Sequence, residues 1–168
     1  MLYVCSLSRL NETVSRVGAT HVVTLINAEA DVPTPAGVDT DNHLFLGFND
    51  IVSPVAGLTP PAEAHVERLL SFVRSWERAS PLVVHCWAGI SRSTAGAYIT
   101  ACALNPERNE HDLAQELRRR APSATPNGRL VAMADKILQR DGRMIDAVRE
   151  IGRGATAFEG TPFEMPLD

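Results

Sequence analysis

The middle of the chain carries a strand pattern, a short loop and a helix pattern in immediate succession. The apolar run Leu82-Val83-Val84 ends at His85 and predicts a short buried strand. Residues 94–99 (TAGAYI) then predict a helix that is apolar around most of its circumference and therefore lies in the interior. The loop between them contains one glycine and ends at a helix N-terminus, so its amides and the helix dipole favour a bound anion. The segment therefore predicts a buried strand–loop–helix unit with an anion site.

Strand and helix patterns alternate along most of the remaining sequence. Apolar and β-branched residues predict strands at 2–5, 21–26, 44–48 and 82–85. Helical periodicity is present at 11–18, after residue 61, and at about 109–120 and 127–140. Such alternation favours an α/β fold with a central, mostly parallel sheet flanked by helices on both sides. Sheets of this kind bind ligands at the carboxyl ends of their strands, which is where the loop after residue 85 lies.

The ends of two helices can be predicted from residue types. Asn11 can cap a helix that runs to Gly18. Pro61 is expected to open a second helix, with Thr59 or Pro60 near its cap, because proline is favoured in the first turn.

Cys86 and Arg92 lie in the central loop, separated by five residues. The thiol would lie at the bottom of the anion site, where a helix N-terminus and a nearby cation favour the thiolate. The planar guanidinium of Arg92 can grip two phosphate oxygens at once. A thiolate that faces a bound phosphate can attack phosphorus and form a covalent cysteinyl-phosphate. The alternative is a buried structural cysteine beside an arginine that caps the helix.

Residues 85–93, HCWAGISRS, resemble the signature of the cysteine-dependent protein tyrosine phosphatase superfamily, in the form typical of dual-specificity phosphatases. The resemblance implies that Cys86 is the nucleophile and that Arg92 binds phosphate. It also implies that Ser93 hydrogen-bonds the sulfur and eases its departure, and that His85 orients the loop and favours the thiolate. The positions implied to bind the substrate phosphate are Trp87, Ala88, Gly89, Ile90, Ser91 and Arg92. The implied fold is that of the protein tyrosine phosphatases.

The same chemistry needs an acid to protonate the leaving group. In the family the resemblance points to, this acid is an aspartate on a loop some thirty to forty residues before the cysteine. Asp50 lies 36 positions before Cys86, directly after a strand pattern and before a proline-rich loop. Asp31, Asp39 and Asp41 are competitors, but they precede that strand. We therefore expect Asp50 to be the general acid, the alternative being a turn residue at the strand end.

A later segment extends the resemblance. Residues 121–127 (APSATPN) are similar to the P-x-x-x-P-N element that precedes the last helix of dual-specificity phosphatases, and Asn127 is expected to cap that helix and support the site. The resemblance covers roughly residues 1–140, which we interpret as a dual-specificity-like phosphatase domain. Residues 141–168 predict a C-terminal helix and an extended tail packed on the same domain.

Composition excludes several other classes of protein. The chain has 168 residues, 45% of them hydrophobic, which suits one domain with a substantial core. A net charge of −4 without a basic stripe argues against a nucleic-acid partner. No H-x3-H or C-x2-C pair suggests zinc, and no metal or other cofactor is expected. No stretch predicts a membrane span or a secretion signal.

Two features of the composition suggest the cellular compartment and the type of organism. Three cysteines, an odd number without metal-type spacing, indicate a reducing compartment, so a cytoplasmic location is expected. Lys136 is the one lysine among sixteen basic residues, which together with many alanines suggests a GC-rich bacterial genome.

The loop residues limit the choice of substrate without naming it. Positions 87–91 hold no lysine, which disfavours a polyanionic lipid headgroup. Trp87 could form an apolar wall for an aromatic substrate or pack beneath the loop. The favoured function is metal-independent hydrolysis of protein phosphotyrosine, with tolerance of phosphoserine and phosphothreonine. Hydrolysis of a small phosphorylated metabolite and a non-catalytic phosphoprotein-binding role remain alternatives.

Overall fold

A five-stranded sheet forms the centre of the molecule. The computed structural model describes all residues from Met1 to Asp168. The strands are β1 Leu2–Ser6, β2 His21–Ile26, β3 His43–Gly47, β4 Leu82–Cys86 and β5 Phe163–Met165, in the spatial order β3-β2-β4-β1-β5. The first four run parallel, and only β5 is antiparallel to its neighbour β1. The predicted α/β fold with a mostly parallel sheet is confirmed.

Six helices cover the two faces of the sheet unequally. They are α1 Leu10–Val17, α2 Glu63–Ser75, α3 Arg92–Leu104, α4 Glu110–Arg120, α5 Gly128–Ile137 and α6 Arg143–Ile151. Helix α1 packs on one face, where Leu10 and Val14 join a small buried cluster with Val22 and Val83. Helices α2 to α6 contribute to the larger core on the opposite face. The sheet therefore has helices on both sides, as predicted.

Strand β4 and helix α3 form the buried unit that the sequence predicts. Every residue of β4 is buried, with Val84 in the larger core and Val83 on the α1 side, because alternate side chains of a strand face opposite ways. Gly96 lets α3 approach the sheet closely. A Cβ at that position would lie 2.7 Å from a methyl of Leu25 and 3.2 Å from one of Val84.

The start of α1 differs from the prediction. Asn11 does not cap this helix but is its second residue, since α1 begins at Leu10. A 3-10 turn at Leu7–Arg9 runs directly into the helix, and no side-chain cap forms there. The helix ends as predicted at Gly18, whose φ of 65° suits glycine.

Helix α2 begins two residues later than predicted, at Glu63 rather than at Pro61. The residue at its N-cap is Ala62, whose methyl side chain cannot accept a hydrogen bond. Its backbone N–H instead donates to Nδ1 of His65 at 3.0 Å, so a side chain one turn into the helix helps to close its end.

Helix α5 begins where the sequence predicts. The Oδ1 atom of Asn127 accepts hydrogen bonds from the amides of Arg129 and Leu130, both at 3.1 Å. The helix ends at Ile137, three residues before the predicted end, because Gln139 takes a left-handed backbone conformation with a φ of 54°.

The chain beyond residue 140 forms α6 against α4 and α5 and then returns to the sheet. On the way, the amide of Ala155 donates to the carbonyl of Pro122 at 2.8 Å. The amide of Gly160 donates to the carbonyl of Ala88 at 2.8 Å, beside the loop that follows β4. The segment expected to be an extended tail therefore includes a strand, β5. No helix has the length and apolar character needed to cross a membrane.

Candidate active site

The loop of residues 87–91, here called the Cys86 loop, joins the end of β4 to the first residue of α3. Gly89 is required in it for two reasons. Its φ is 71°, a conformation that other residues rarely adopt, and a Cβ there would lie 2.9 Å from the backbone of Cys5 and of Ser6. The loop is therefore pressed against the end of β1, which sets its shape.

Cys86 ends β4 with its thiol buried beneath the loop. Its Sγ atom lies 3.1 Å from Oγ of Ser93 and accepts a hydrogen bond from the amide of Gly89 at 3.3 Å. Both contacts suit a sulfur that carries negative charge, because a hydroxyl and an amide can each donate to it. The structure thus brings Cys86 and Ser93 into direct contact.

Four amides of the loop have no acceptor within the protein. The backbone N–H groups of Trp87, Ala88, Ile90 and Ser91 donate no hydrogen bond to another residue. Unpaired amides at a helix N-terminus are the usual donors to a bound anion. These are four of the six positions predicted from the sequence to bind phosphate; the amide of Gly89, a fifth, donates to Sγ of Cys86 instead.

Arg92 is buried at the start of α3, and its guanidinium is held from one side. One terminal nitrogen donates to Oδ1 of Asn27 at 2.7 Å and to the carbonyl of Phe48 at 2.9 Å. The Nε atom is buried and has no hydrogen-bond partner. A buried donor without a partner is costly, so the arrangement fits an anion that accepts from this nitrogen.

Asp50 follows β3 and reaches the other side of the Cys86 loop. Its Oδ1 atom accepts hydrogen bonds from Oγ of Ser91 and from Nδ2 of Asn127, both at 2.8 Å. Asn127 therefore has two roles, since its Oδ1 caps α5 while its side-chain nitrogen donates to Asp50. Both donors attach to Oδ1, and Oδ2 has no hydrogen-bond partner within the protein.

His85 connects the loop to the neighbouring strand. Thr24 lies opposite His85 in the parallel register of β2 and β4, and its hydroxyl is 2.7 Å from Nε2 of His85. The same hydroxyl lies 2.7 Å from Nε2 of His43. The Nδ1 atom of His85 lies 3.2 Å from the carbonyl of Cys86. Burial lowers the pKa of His85 to about 4, so its ring is neutral at pH 7 and orients the loop without adding charge.

Backbone contacts from distant segments hold the Cys86 loop from outside. The amide of Leu7 donates to the carbonyl of Trp87 at 3.1 Å, and the amide of Thr125 donates to the carbonyl of Ile90 at 2.9 Å. Together with the contact from Gly160, they fix three successive parts of the loop. These supports and Asn27 were missed by sequence reasoning, because no local pattern marks a residue that binds across the fold.

The other aspartates that the sequence offers lie away from the Cys86 loop. Asp39 accepts from the amide of Asp41 at 3.0 Å and closes a short turn before β3. Asp31 lines a separate surface cavity next to α1. Trp87 is 64% exposed, so it does not pack beneath the loop. Asp50 is thus the one aspartate considered at the sequence level that contacts the Cys86 loop.

A protein-family model matches the part of the chain that contains the Cys86 loop. A family model described as protein-tyrosine phosphatase matches residues 56–125, which include Cys86 and Arg92 but not Asp50. Among proteins of curated function, none matches the chain in sequence.

Solved structures resemble the chain over most of its length. Human DUSP28 is 20% identical in sequence and superposes with a TM-score of 0.63. The match covers 83% of this chain and 92% of the DUSP28 chain. DUSP15 is 18% identical with a TM-score of 0.62, and the match covers 89% of each chain. PTP-2 phosphatase of Cydia pomonella is 18% identical with a TM-score of 0.62, over 80% of this chain and 84% of its own. The chain has the protein tyrosine phosphatase fold. At these sequence identities the likeness establishes the fold alone.

Proposed function

We propose that the chain is a phosphatase of the protein-tyrosine and dual-specificity type, which hydrolyses phosphomonoesters through a cysteinyl-phosphate without a metal. One observation carries the proposal. The buried thiol of Cys86 lies beneath a loop with unpaired amides, next to an arginine whose Nε has no partner. A nucleophile and a set of unsatisfied anion donors at one helix N-terminus are what phosphoryl transfer to sulfur requires.

In the first step the thiolate of Cys86 attacks phosphorus. A bond forms between sulfur and phosphorus while the bond from phosphorus to the ester oxygen breaks, with its electron pair going to that oxygen. Asp50 gives the proton from Oδ2 to the departing oxygen, which leaves as a phenol or alcohol. The loop amides and Arg92 hold the phosphoryl oxygens throughout.

In the second step water attacks the cysteinyl-phosphate. Asp50, now a carboxylate, takes a proton from the water as its oxygen bonds to phosphorus. The sulfur–phosphorus bond breaks, and its electron pair returns to the sulfur of Cys86. The hydroxyl of Ser93, at 3.1 Å, donates to that sulfur and stabilises the charge. Inorganic phosphate leaves, and Asp50 is again protonated.

The proposed physiological substrate is a phosphoprotein, with phosphotyrosine favoured and phosphoserine or phosphothreonine tolerated. Trp87 supports an aromatic substrate, because its exposed side chain stands at the edge of the Cys86 loop and can pack against a phenyl ring. A reducing cytoplasm, as in a bacterium, suits the proposal because the thiol of Cys86 must remain free.

The decisive assay is hydrolysis of an aryl phosphate by the purified protein in the presence of EDTA. We expect phosphate release without added metal and its complete loss in Cys86→Ser. Cys102→Ala is the matched control, since Cys102 is also a buried free cysteine but lies inside α3 away from the loop. Activity that persists in Cys86→Ser, or that requires a divalent cation, would contradict the mechanism.

The role of Asp50 can be tested with leaving groups of different basicity. In Asp50→Asn, kcat/KM for phenyl phosphate, which has a poor leaving group, should fall about 100-fold, a typical contribution of general acid catalysis, because kcat/KM reports the first step and not the hydrolysis of the cysteinyl-phosphate. With an activated nitrophenyl ester the loss should be much smaller, because that leaving group needs little protonation. Equal losses for both esters would show that Asp50 is not the acid.

A further inference from the structure

The C-terminal segment supplies one wall of a cavity beside the Cys86 loop. The cavity measures about 310 Å³ and is lined by Leu7, Ser8, Trp87, Ala88, Phe158 and Glu159. Its two aromatic side chains are unusually exposed for their size, Trp87 by 64% and Phe158 by 96%. Because Trp87 and Ala88 belong to the Cys86 loop, the cavity adjoins the position where the phosphate would bind.

One carboxylate in this cavity has no cationic partner. Glu159 accepts hydrogen bonds from the hydroxyls of Ser6 and Ser8, and these contacts lower the pKa of its side chain. The neighbouring cation, Arg9, is already bound to Glu12 by two hydrogen bonds of 2.7 and 3.0 Å. Glu159 is therefore held in place by neutral hydroxyls and forms no ion pair, while Arg9 acts on it only through the longer-range attraction that further lowers its pKa.

The position of this wall relative to the Cys86 loop is fixed by the backbone. The amide of Gly160 donates to the carbonyl of Ala88 at 2.8 Å, directly after Glu159. The contact is so close that a Cβ at position 160 would lie 2.7 Å from the carbonyl oxygen of Gly89. Phe158 and Glu159 are thus attached to the loop rather than carried on a free tail.

Two exposed aromatic rings and an unpaired carboxylate match one type of side chain. Arginine and lysine combine an apolar stem, which packs on aromatic surface, with a cationic head that binds carboxylates and ring faces. A purely apolar residue would form no electrostatic interaction with the carboxylate of Glu159, and an acidic residue would be repelled by it.

Building on the proposed phosphatase activity, we propose that this cavity binds an arginine or lysine side chain of the substrate protein, close to the phosphorylated residue. The cavity is then a specificity subsite. Its aromatic wall comes from the Cys86 loop and the C-terminal segment, and its charge comes from Glu159. The phosphoryl group occupies the loop while the cationic residue occupies the cavity beside it.

The test uses phosphotyrosine peptides whose other residues are uncharged except at one varied position. That position is any one of the three before or the three after the phosphotyrosine, and it holds arginine, norleucine or glutamate. At one of these positions we expect kcat/KM for the arginine peptide to exceed that for the norleucine peptide by about five- to tenfold, from an exposed ion pair and cation–π contact combined. The glutamate peptide should be slower than both. The preference should shrink at high salt, because exposed charges are screened.

The ratio of arginine to norleucine peptide should fall to about one in Glu159→Gln, which keeps the shape but removes the charge. In Glu159→Lys the glutamate peptide should become preferred over the arginine peptide. Glu164→Gln is the matched control, since Glu164 lies in the same segment but binds Tyr3 on β1, and the ratio should stay at the wild-type value. Because this ratio compares two peptides on the same variant, a general loss of activity caused by a disturbed Cys86 loop cancels out.

Two results would overturn the subsite. One is equal kcat/KM for arginine and norleucine peptides at every position in the wild-type protein. The other is a preference for arginine that persists in Glu159→Gln. Either result, obtained with rapid turnover of the norleucine peptides, rejects the subsite and leaves the phosphatase activity standing. Absence of turnover for every peptide and for aryl phosphate rejects the proposed function, and the subsite with it.

Discussion

Replacing Asn27 by alanine removes one of the two acceptors that hold the guanidinium of Arg92. In the structure, Oδ1 of Asn27 lies 2.7 Å from a terminal nitrogen of Arg92, and the carbonyl of Phe48 lies 2.9 Å from the same nitrogen. Asn27 follows β2, 65 residues before Arg92. It touches no reacting atom in the proposed mechanism and is therefore a positioning residue.

The size of the effect follows from this geometry. A hydrogen bond to a charged group contributes about 1.5–3 kcal/mol. The carbonyl of Phe48 remains in the variant and keeps part of the orientation, so the lower end of this range applies. Because about 1.4 kcal/mol corresponds to a factor of ten, kcat/KM should fall roughly tenfold.

Steady-state kinetics with an aryl phosphate measure this loss, and competitive inhibition by inorganic phosphate measures anion binding directly. In Asn27→Ala the inhibition constant for phosphate should rise along with the loss of kcat/KM, since Arg92 grips the anion in both cases. The matched control is Asn105→Ala at the far end of α3, which also loses one side-chain hydrogen bond, to the carbonyl of Ala101 at 2.9 Å. Thermal unfolding shows whether both variants remain folded.

The reasoning would be refuted by Asn27→Ala if its kcat/KM and phosphate inhibition both stayed within twofold of the wild type. It would also be refuted if Asn105→Ala lost as much, since the effect would then reflect the helix and not the guanidinium.

Two further predictions concern stability and the shape of the loop. The pKa of His85 is lowered to about 4 by burial, below the value of about 6.5 in an unfolded chain, so the unfolded state binds the proton more tightly. The free energy of unfolding should therefore fall as the pH drops from about 6.5 to 4, with about 3 kcal/mol due to His85, and denaturant titrations should show a shallower dependence in His85→Asn. An equally steep dependence in that variant would assign the acid sensitivity to other groups. Gly160→Ala should lower kcat/KM for aryl phosphate and cost about 1–3 kcal/mol of stability, because its Cβ would press on the carbonyl of Gly89. Gly128→Ala, where nothing lies within 4 Å of an added Cβ, is the control, and equal losses in both variants would contradict a specific contact with the loop.

Much of the site is encoded in short stretches of sequence. A segment of twelve residues, 82–93, contains the buried strand β4, Gly89, Cys86, Arg92 and Ser93. Because these residues are so close in the chain, local backbone geometry largely determines their relative positions. Asp50 could be predicted at longer range because the resemblance implies an acid thirty to forty residues before the cysteine, and Asp50 lies in that range shortly after a strand of the same parallel sheet. The carboxyl ends of such strands share one edge, so a residue placed there falls near the loop.

Helix starts were predicted less well where packing replaces a capping side chain. Asn11 has a good capping residue type, but the preceding 3-10 turn already leads the chain into α1. At α2 the sequence offers no capping side chain at Ala62, and His65 supplies the acceptor from within the helix. Intrinsic preference predicts which residues can cap, while the path of the preceding chain decides which of them do.

By itself, the sequence determined the α/β class, the central strand–loop–helix unit and the spacing of Cys86, Arg92 and Ser93, because each depends on neighbours in the chain. Tertiary structure alone decided which distant groups complete the site. Thr24 reaches His85 across 61 residues, and Asn127 reaches Asp50 across 77, through strand register and helix packing. The attachment of Gly160 to the Cys86 loop also depends on β5 pairing with β1. Contacts of this kind follow from how elements pack together, and no local pattern of residues records them.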